Sequence, residues 1–405
     1  MEIARLPAPQ RPINVLVFTP TPTHPPIQGN RQRAFDICRA IQSTGADITL
    51  LHYATEGVGA DDAQRMKDTW GNLEVVFPRG FVPQHRYVRY PAIDDWFDGS
   101  IGDAALRLSA EKQFDICVTN YVWYSKIFDS LPPNIVRVID THDVFGGRAQ
   151  RFAEIDLAPQ WFHTSVNEEK IGLDRADFVL AIQDSEAEML RQRTRTHVHT
   201  IGLLSAPDFL PVLRPNTGRP LRVGYVGSAN PFNVSSMLSF ARALQTFPAA
   251  ILGFDVHLAG PICAALSASP HPFVTHGVVD SISDFYRSVD VMVNPMLGGT
   301  GLKIKSLEAL GYGKPLVATL DAMAGVRTDH HNHRLANIQQ VVAQLQELSE
   351  NPIRLEAESQ VSRRIFDTYR EDQLRSFSHF WSLLEREVAA RRTLPEAARK
   401  AGASI

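Results

Sequence analysis

The stretch from Asn294 to Pro315 reads NPMLGGTGLKIKSLEALGYGKP, an apolar strand end followed by a glycine cluster and a helix. Glycines let a ligand approach the backbone closely, and the first N–H groups of a helix favour an anion. Lys303 and Lys305 add positive charge beside them, so the stretch predicts a diphosphate site. Glu308, about one turn further along, is predicted to accept hydrogen bonds from the ribose of a nucleotide. A tight turn followed by a solvated helix face is the alternative interpretation.

Short apolar segments alternate with helical segments on both sides of this stretch. This alternation predicts an α/β fold in which parallel sheets are covered by helices on both faces. A helix is predicted over residues 33–43, ending at Gly45. Strands are predicted at residues 13–18, 47–52, 73–77, 114–119, 136–140 and 178–182, and again at 221–226, 254–258, 273–275, 289–294 and 315–319.

The length of 405 residues exceeds what one hydrophobic core serves, so two domains are expected. Prolines concentrate at 207–220, which predicts a linker between an N-terminal domain at 1–206 and a second domain at 221–370. Residues 371–405 are predicted to form a C-terminal helix that packs across the domain junction through an apolar face. That face comprises Phe377, Phe380, Trp381 and Leu384. A ligand cleft is expected between the two domains.

The composition is that of an ordinary globular protein, with 44% hydrophobic and 21% charged residues and a formal net charge of -3. A nucleic-acid partner is therefore not expected. Cys38, Cys117 and Cys263 lie in apolar segments without metal-ligand spacing, so buried thiols in a reducing compartment are predicted. With no signal peptide or membrane span recognised, a cytoplasmic location is expected, at most peripheral at the inner membrane face. Basic and aromatic residues interleave between Arg79 and Tyr90, which fits either a membrane contact or an exposed basic loop.

The run LEALGYGKP, from Leu307 to Pro315, resembles the nucleotide-binding segment of the glycosyltransferase family 4-like (group 1) enzymes. The resemblance implies the GT-B architecture, two Rossmann-like doubly wound domains with a cleft between them, and a nucleotide-sugar donor. It assigns the ribose contact to Glu308. Thr300 stands eight positions earlier, where the common form has a glutamate that contacts the donor sugar, so the resemblance places Thr300 at the catalytic centre. A variant form, GTGLKxKxxEA, matches here and adds Gly299, Gly301 and Leu302 to the donor site beside the lysines.

Two other segments resemble the same enzymes. The sequence GYVGSANPFN opens the second domain like the family's first strand and glycine turn, which implies donor contacts by Gly227, Asn230 and Asn233. In the first domain, GNRQR resembles the family's glycine-and-arginine loop, which implies acceptor-side roles for Gly29 and for Arg31 or Arg33. A surface arginine without a ligand is the alternative for either side chain.

The segment VIDTHDV, residues 138–144, resembles the family's strand that ends in His-Asp. This resemblance implies that His142 lies near the transferred sugar and takes part in catalysis. Asp140 or Asp143 is expected to orient its ring. A purely structural histidine is the alternative.

No resident metal or cofactor is expected, because the chain contains no Asp-x-Asp sequence to hold a hard cation on a diphosphate. His330, His331 and His333 with Asp329 have the composition of a metal cluster but no regular ligand spacing. They are predicted to form a solvated loop.

The resemblance therefore implies a glycosyltransferase, hexosyltransferase-like and retaining, that acts on a glycan, lipid-linked or small-molecule acceptor. The lack of an Asp-x-Asp sequence predicts that transfer is metal-independent. A nicotinamide-dependent oxidoreductase is disfavoured because no GxGxxG follows the first strand. Two further alternatives stay open: a GT-B-type nucleotide-sugar epimerase, and a non-catalytic nucleotide-sugar-binding partner of another transferase.

Overall fold

The computed structural model describes residues 11–87, 89–153, 158, 161–211, 218–247, 252–298 and 301–393. The chain forms two compact units. The first unit comprises Met1–Leu204 together with Leu374–Ile405, and the second comprises Ser205–Gln373.

A seven-stranded sheet forms the centre of the first unit, and every strand pair in it is parallel. Its strands are β1 (Asn14–Thr19), β2 (Asp47–Tyr53), β3 (Asn72–Val76), β4 (Ile116–Asn120), β5 (Val136–Asp140), β6 (Phe178–Ala181) and β7 (His197–Thr200). The strand order is β3-β2-β1-β4-β5-β6-β7, so β1 and β4 are neighbours although β2 and β3 come between them in the chain.

Helices cover this sheet on both faces. They are α1 (Gly29–Ser43), α2 (Ala60–Trp70), α3 (Gly99–Glu111), α4 (Arg148–Ala153), α5 (Val166–Leu173) and α6 (Asp184–Arg191), with a 3-10 helix at Val122–Ser130. Side chains alternate along β1 as the pleat requires: Val15 and Val17 join one apolar core, and Leu16 and Phe18 join the other.

The second unit is built on a five-stranded parallel sheet. Its strands are β8 (Leu221–Val226), β9 (Phe254–Ala259), β10 (Val274–Thr275), β11 (Val291–Asn294) and β12 (Leu316–Ala318), in the order β10-β9-β8-β11-β12. The described helices are α7 (Pro231–Gln245), α8 (Ile262–Leu266), α9 (Ile282–Ser288), α10 (Ile304–Gly311), α11 (Ile338–Glu350) and α12 (Leu355–Thr393). Short 3-10 helices lie at Asp321–Met323, His331–His333 and Pro352–Arg354. The three cysteines of the chain are buried free thiols, as predicted.

The helix α12 is shared between the units, since its residues 355–373 belong to the second and 374–393 to the first. Phe377, Phe380, Trp381 and Leu384 are all buried in the core of the first unit that contains Val15 and Val17. The apolar face read from the sequence therefore packs into that core.

The start of the predicted linker is held in the second unit rather than extended in solvent. The N–H of Asp208 donates to Gly311 O at 2.9 Å, and the N–H of Leu210 donates to Tyr312 O at 3.0 Å. Residues 212–217 of the linker lie outside the described residues.

Two elements of the first unit were not predicted. The strand β7 reads HVHT and lies at the sheet edge, where only Val198 is buried, so it lacks the apolar run that marks the other strands. The 3-10 helix Val122–Ser130 buries six of its nine residues, and no regular helical period marks it. In both cases tertiary packing decides the local structure.

The expectation of a solvated loop around His330 is wrong in part. Asn332 and His333 are each only 1% exposed, and Asn332 Nδ2 donates to the buried Glu358 Oε2 at 3.0 Å. Spacing along the chain gave no sign of Glu358, because this partner lies on the following long helix α12.

Candidate active site

The predicted donor residues gather where the strands of the second sheet end. The strands β8 and β11 are neighbours, but β8 leads to β9 on one side of the sheet and β11 leads to β12 on the other. The chain passes Gly227 after β8 and Gly298 after β11. In doubly wound sheets such a switch point opens a crevice at the carboxyl ends of the strands, where ligands bind.

The turn after β11 depends on the conformational freedom of glycine. Gly298 has a φ of 72° and Gly301 a φ of 74°, and an added Cβ would meet no atom within 4 Å at either position. Backbone conformation, rather than crowding, therefore requires glycine here. The N–H of Gly298 already donates to Asp321 Oδ2 at 2.7 Å. Gly299 and Thr300, predicted as a donor contact and a catalytic residue, lie outside the described residues.

The helix α10 begins at Ile304, so Lys303 precedes it as the N-cap residue instead of lying within it. Leu302 and Lys303 are almost enclosed, with 7% and 5% of their surface exposed. Lys303 therefore lies at the N-terminus of the helix, where the helix dipole is positive.

Lys305, on α10, is linked to α7, the helix that follows β8. Its Nζ donates to Asn233 Oδ1 at 3.0 Å. Asn233 Nδ2 in turn donates to Ser228 O at 2.9 Å, which fixes the amide orientation. Burial lowers the pKa of Lys305 to about 8, with Lys303 adding to this shift and Glu308 opposing it.

The three predicted donor contacts after β8 make structural contacts within the protein. They are Gly227, Asn230 and Asn233. Asn230 Oδ1 caps α7 by accepting the N–H of Asn233 at 2.9 Å, and the Asn233 side chain is fully buried. An added Cβ at Gly227 would lie 2.6 Å from the buried Tyr225 ring, so a larger residue there would have to displace that ring. These three predicted donor contacts thus shape the turn after β8 and the start of α7, which Lys305 contacts.

Glu308 is half-buried beside two stacked tyrosines. The rings of Tyr286 and Tyr312 lie 4.2 Å apart with an interplanar angle of 26°. Burial raises the pKa of Glu308 to about 7, while Tyr286 and Lys305 act against this rise. The Tyr286 hydroxyl favours the ionised carboxylate but does not form a hydrogen bond of standard geometry with it. Glu308 can therefore accept hydrogen bonds, and its carboxyl group ionises close to neutral pH.

His142 follows β5 in the first unit and adopts a left-handed backbone conformation, with a φ of 59°. Its Nε2 lies 2.7 Å from Asn120 Oδ1. Asn120 Nδ2 donates to Phe18 O at 2.7 Å, so the amide oxygen faces the imidazole. Nε2 therefore carries the ring proton and donates it, which leaves Nδ1 with a free lone pair.

The surroundings of His142 keep the ring neutral and fix its plane. The imidazole stacks on Tyr121 with centroids 4.2 Å apart and an angle of 23°. Burial lowers the pKa of His142 to about 4; Asp140 opposes this shift and Arg33 adds to it. At neutral pH the side chain is thus a hydrogen-bonding base rather than a cation.

Arg33 is the buried counter-ion of Asp140. Its side chain is 1% exposed, and its Nε and Nη2 donate to Asp140 at 2.8 Å and 2.6 Å. Its Nη1 donates to Ile201 O at 2.8 Å. The acceptor-side role predicted for Arg33 would require this buried ion pair to break.

Arg31 and Gly29 lie at the start of α1. Gly29 is the first helical residue, and Arg31 Nη2 donates to Glu56 Oε2 at 2.8 Å. The Nε of Arg31 is buried without a partner, so this side chain keeps a donor available. Of the two predicted arginines, Arg31 is the better acceptor-side candidate.

Residues 220–351 match the family model described as glycosyl transferases group 1. This part of the chain, about a third of its length, is therefore similar to the group 1 glycosyltransferases. The matched range contains β8, β11 and α10, and hence all the donor residues described above. No curated protein sequence gives a significant match.

The solved structures similar to more than nine-tenths of the chain include glycosyltransferases with the GT-B fold. Sucrose-phosphate synthase from Thermosynechococcus elongatus has a TM-score of 0.65 and 13% identity, and covers 93% of this chain and 99% of its own. HepE from Anabaena, in complex with UDP and glucose, has a TM-score of 0.61 and 12% identity, covering 91% and 100%. The pneumococcal O-GlcNAc transferase GtfA, in complex with UDP and GlcNAc, has a TM-score of 0.63 and 11% identity. The match covers 94% of this chain and 100% of GtfA. At these identities the likeness establishes the fold, and the chain has the GT-B fold.

Sequence reasoning missed the partners of both candidate centres. In the second unit, Tyr286 and Tyr312 meet only through packing between helices, and no local sequence pattern indicates that contact. Asn120 had a readable signal, because it ends β4 and the doubly wound strand order places that strand beside the one that leads to His142. A polar residue at a strand's carboxyl end indicates a ligand site as strongly as the histidine does.

None of the described helices is long and apolar enough to cross a bilayer. Residues 78–87 are mostly exposed and form neither helix nor strand. The cytoplasmic location and the peripheral membrane contact both stay predictions.

Proposed function

We propose that the protein transfers a sugar from a nucleoside-diphosphate sugar to an acceptor hydroxyl. The observation that carries this proposal is the linked set of Lys305, Asn233 and Glu308 at the switch point of the second sheet, in the part of the chain that is similar to the group 1 glycosyltransferases. It combines one cation for a diphosphate with one carboxylate for a ribose at the edge where doubly wound sheets bind ligands. HepE and GtfA, which share the fold, were solved with UDP and a sugar.

In this proposal the second unit binds the donor and stabilises its leaving group. Negative charge builds on the diphosphate as the glycosidic bond breaks. Lys305, Lys303 and the N-terminus of α10 would meet that charge with fixed positive groups. Glu308 would accept hydrogen bonds from the two ribose hydroxyls.

The first unit supplies His142 as a neutral hydrogen-bonding group near the reacting sugar. Because Asn120 holds the proton on Nε2, Nδ1 would accept a hydrogen bond from a sugar hydroxyl. Burial and Arg33 would keep the ring neutral, and Asn120 and Tyr121 would hold it in place. Arg31 and Gly29 would face the acceptor, which we propose to be a glycan, a lipid-linked sugar or a small molecule.

We also propose that transfer retains the anomeric configuration, moves a hexose and needs no resident metal or cofactor. The support for metal independence is that the chain's own cations, Lys303 and Lys305, can neutralise the diphosphate. The support for retention is the likeness to the group 1 enzymes alone.

The direct test measures donor binding and then turnover. A panel of nucleoside-diphosphate sugars is screened by thermal shift, and each donor that binds is assayed for nucleotide release with and without candidate acceptors. We expect one donor to raise the melting temperature more than its free nucleoside does. We expect Glu308→Ala to weaken nucleotide binding by about 2–3 kcal/mol.

The outcomes separate the alternatives. Binding of sugar nucleotides with no release or transfer would indicate a non-catalytic partner, and conversion of one sugar nucleotide into another would indicate an epimerase. Oxidation of NADH, followed by its absorbance, would indicate an oxidoreductase. Equal binding of nucleoside and nucleoside diphosphate would contradict the roles given to the lysines.

A further inference from the structure

Three side chains of the second unit converge away from the donor residues. One ligand atom from each of His330, His331 and Glu358 lies within 4.8 Å of the others. The neighbouring His333 is linked to Leu316, the first residue of β12. The group therefore lies near the amino end of that strand, whereas the Gly298 turn follows the carboxyl end of β11.

The carboxylate in this group is positioned in advance. Glu358 is 6% exposed, and Asn332, itself 1% exposed, donates to its Oε2 at 3.0 Å. An amide that holds the carboxylate in this way resembles the outer hydrogen bonds that orient ligands around metal ions. The ring of His330 lacks such support, since its Nδ1 is buried without a partner and its Nε2 lies 3.5 Å from Glu358 Oε2.

We propose that His330, His331 and Glu358 bind a divalent transition-metal ion of the zinc type, which fastens the loop at 328–334 to the helix α12. Two imidazoles and one carboxylate form a ligand set that zinc accepts, with water in the fourth position. Ligand atoms around tetrahedral zinc lie about 3.4 Å apart, given bond lengths of about 2.1 Å. The three side chains need to close by little more than an ångström, which rotation of the exposed His331 ring provides.

Arg354 shows that this position attracts a cation. Its Nη2 lies 3.4 Å from His331 Nε2 and 3.5 Å from Glu358 Oε1. The guanidinium also pairs with Glu347, so its charge stays compensated when an ion displaces it from Glu358. Arg354 therefore competes with the metal, and Arg354→Met is expected to bind zinc more tightly than the wild type.

The test uses the full chain with any affinity tag removed and with metal stripped by a chelator. Calorimetry with Zn²⁺ should show one equivalent bound, and Co²⁺ should give the visible absorption of a tetrahedral site. His331→Ala and Glu358→Gln should each lower zinc affinity by roughly tenfold or more. Zinc should also raise the melting temperature of the wild type but not of His331→Ala.

His276→Ala is the matched control, because His257 and His276 form an exposed pair with ring nitrogens 3.0 Å apart. Loss of zinc binding in that variant alone would assign the ion to the other pair and overturn the proposal. The absence of saturable binding, or unchanged affinity in His331→Ala, would overturn it too. Since His331 is exposed, its replacement leaves the fold intact, and the metal readouts do not depend on glycosyl transfer.

Discussion

At the residue scale, Glu308 and Lys305 are expected to give nucleotide binding a double pH dependence. The pKa of Glu308 is raised to about 7, so affinity should increase as the pH rises through that value and the carboxylate forms. The pKa of Lys305 is lowered to about 8, so affinity for a diphosphate should fall above it as the charge is lost. Calorimetry with a nucleoside diphosphate across this range should therefore show a maximum.

A phosphate-free nucleoside provides the control for that profile. Its affinity should still rise with pH as Glu308 ionises, the lower limb, but should not fall as Lys305 loses its charge, the upper limb. Glu308→Gln should lose the lower limb and keep the upper one. A flat profile for the diphosphate would contradict the assignment of both side chains.

The hydrogen-bonding arrangement of His142 leads to a second prediction at this scale. His142→Ala should lower sugar transfer by roughly tenfold or more, the size of effect expected for a group at the reacting centre. Its melting temperature should stay within a few degrees of the wild type. His197→Ala, an exposed histidine on β7, is the matched control and should leave transfer unchanged. Full activity in His142→Ala would make the histidine structural.

At the element scale, the ion pair of Arg33 with Asp140 attaches α1 to the end of β5. Arg33→Met should destabilise the protein by about 3–5 kcal/mol, because it leaves a buried carboxylate without a counter-charge. Arg31→Met, two residues away, removes an ion pair that is partly exposed and should cost at most about 1 kcal/mol. Equilibrium denaturation of the two variants side by side measures the difference.

The double variant Arg33→Met with Asp140→Asn extends this comparison. It should recover part of the lost stability, because the unpaired charge has been removed as well. Equal stability of Arg33→Met and Arg31→Met would show that the buried pair does not hold the helix.

Strands that are buried on both faces could be predicted from the sequence, because a continuous apolar run such as VLVF in β1 is typical of a strand inside a parallel sheet. The strand β7 could not, since an edge strand needs little burial. Arg33 was read as a ligand contact because its partner Asp140 lies 107 positions away, and no local pattern connects them. Local periodicity predicts elements, while long-range polar pairs appear only once the sheet order is known.

At the scale of the whole molecule, sugar transfer is expected to survive removal of divalent metal. The phosphate charge in the proposed mechanism is met by lysines and a helix N-terminus, so exhaustive treatment with EDTA should change the rate by less than about tenfold. The same treatment should lower the melting temperature of a preparation that contains zinc. A larger loss of rate, restored by Mg²⁺ or Mn²⁺, would contradict the phosphate roles of Lys303 and Lys305.

The shared helix α12 has a consequence for synthesis of the protein. The chain leaves the first unit at residue 204 and returns to it only at residue 374, so the second unit is an insertion within the first. During translation, Val15 and Val17 remain without part of their core until Leu384 has left the ribosome. The second unit is then complete before the first, which makes the N-terminal sheet the part of the nascent chain most in need of a chaperone.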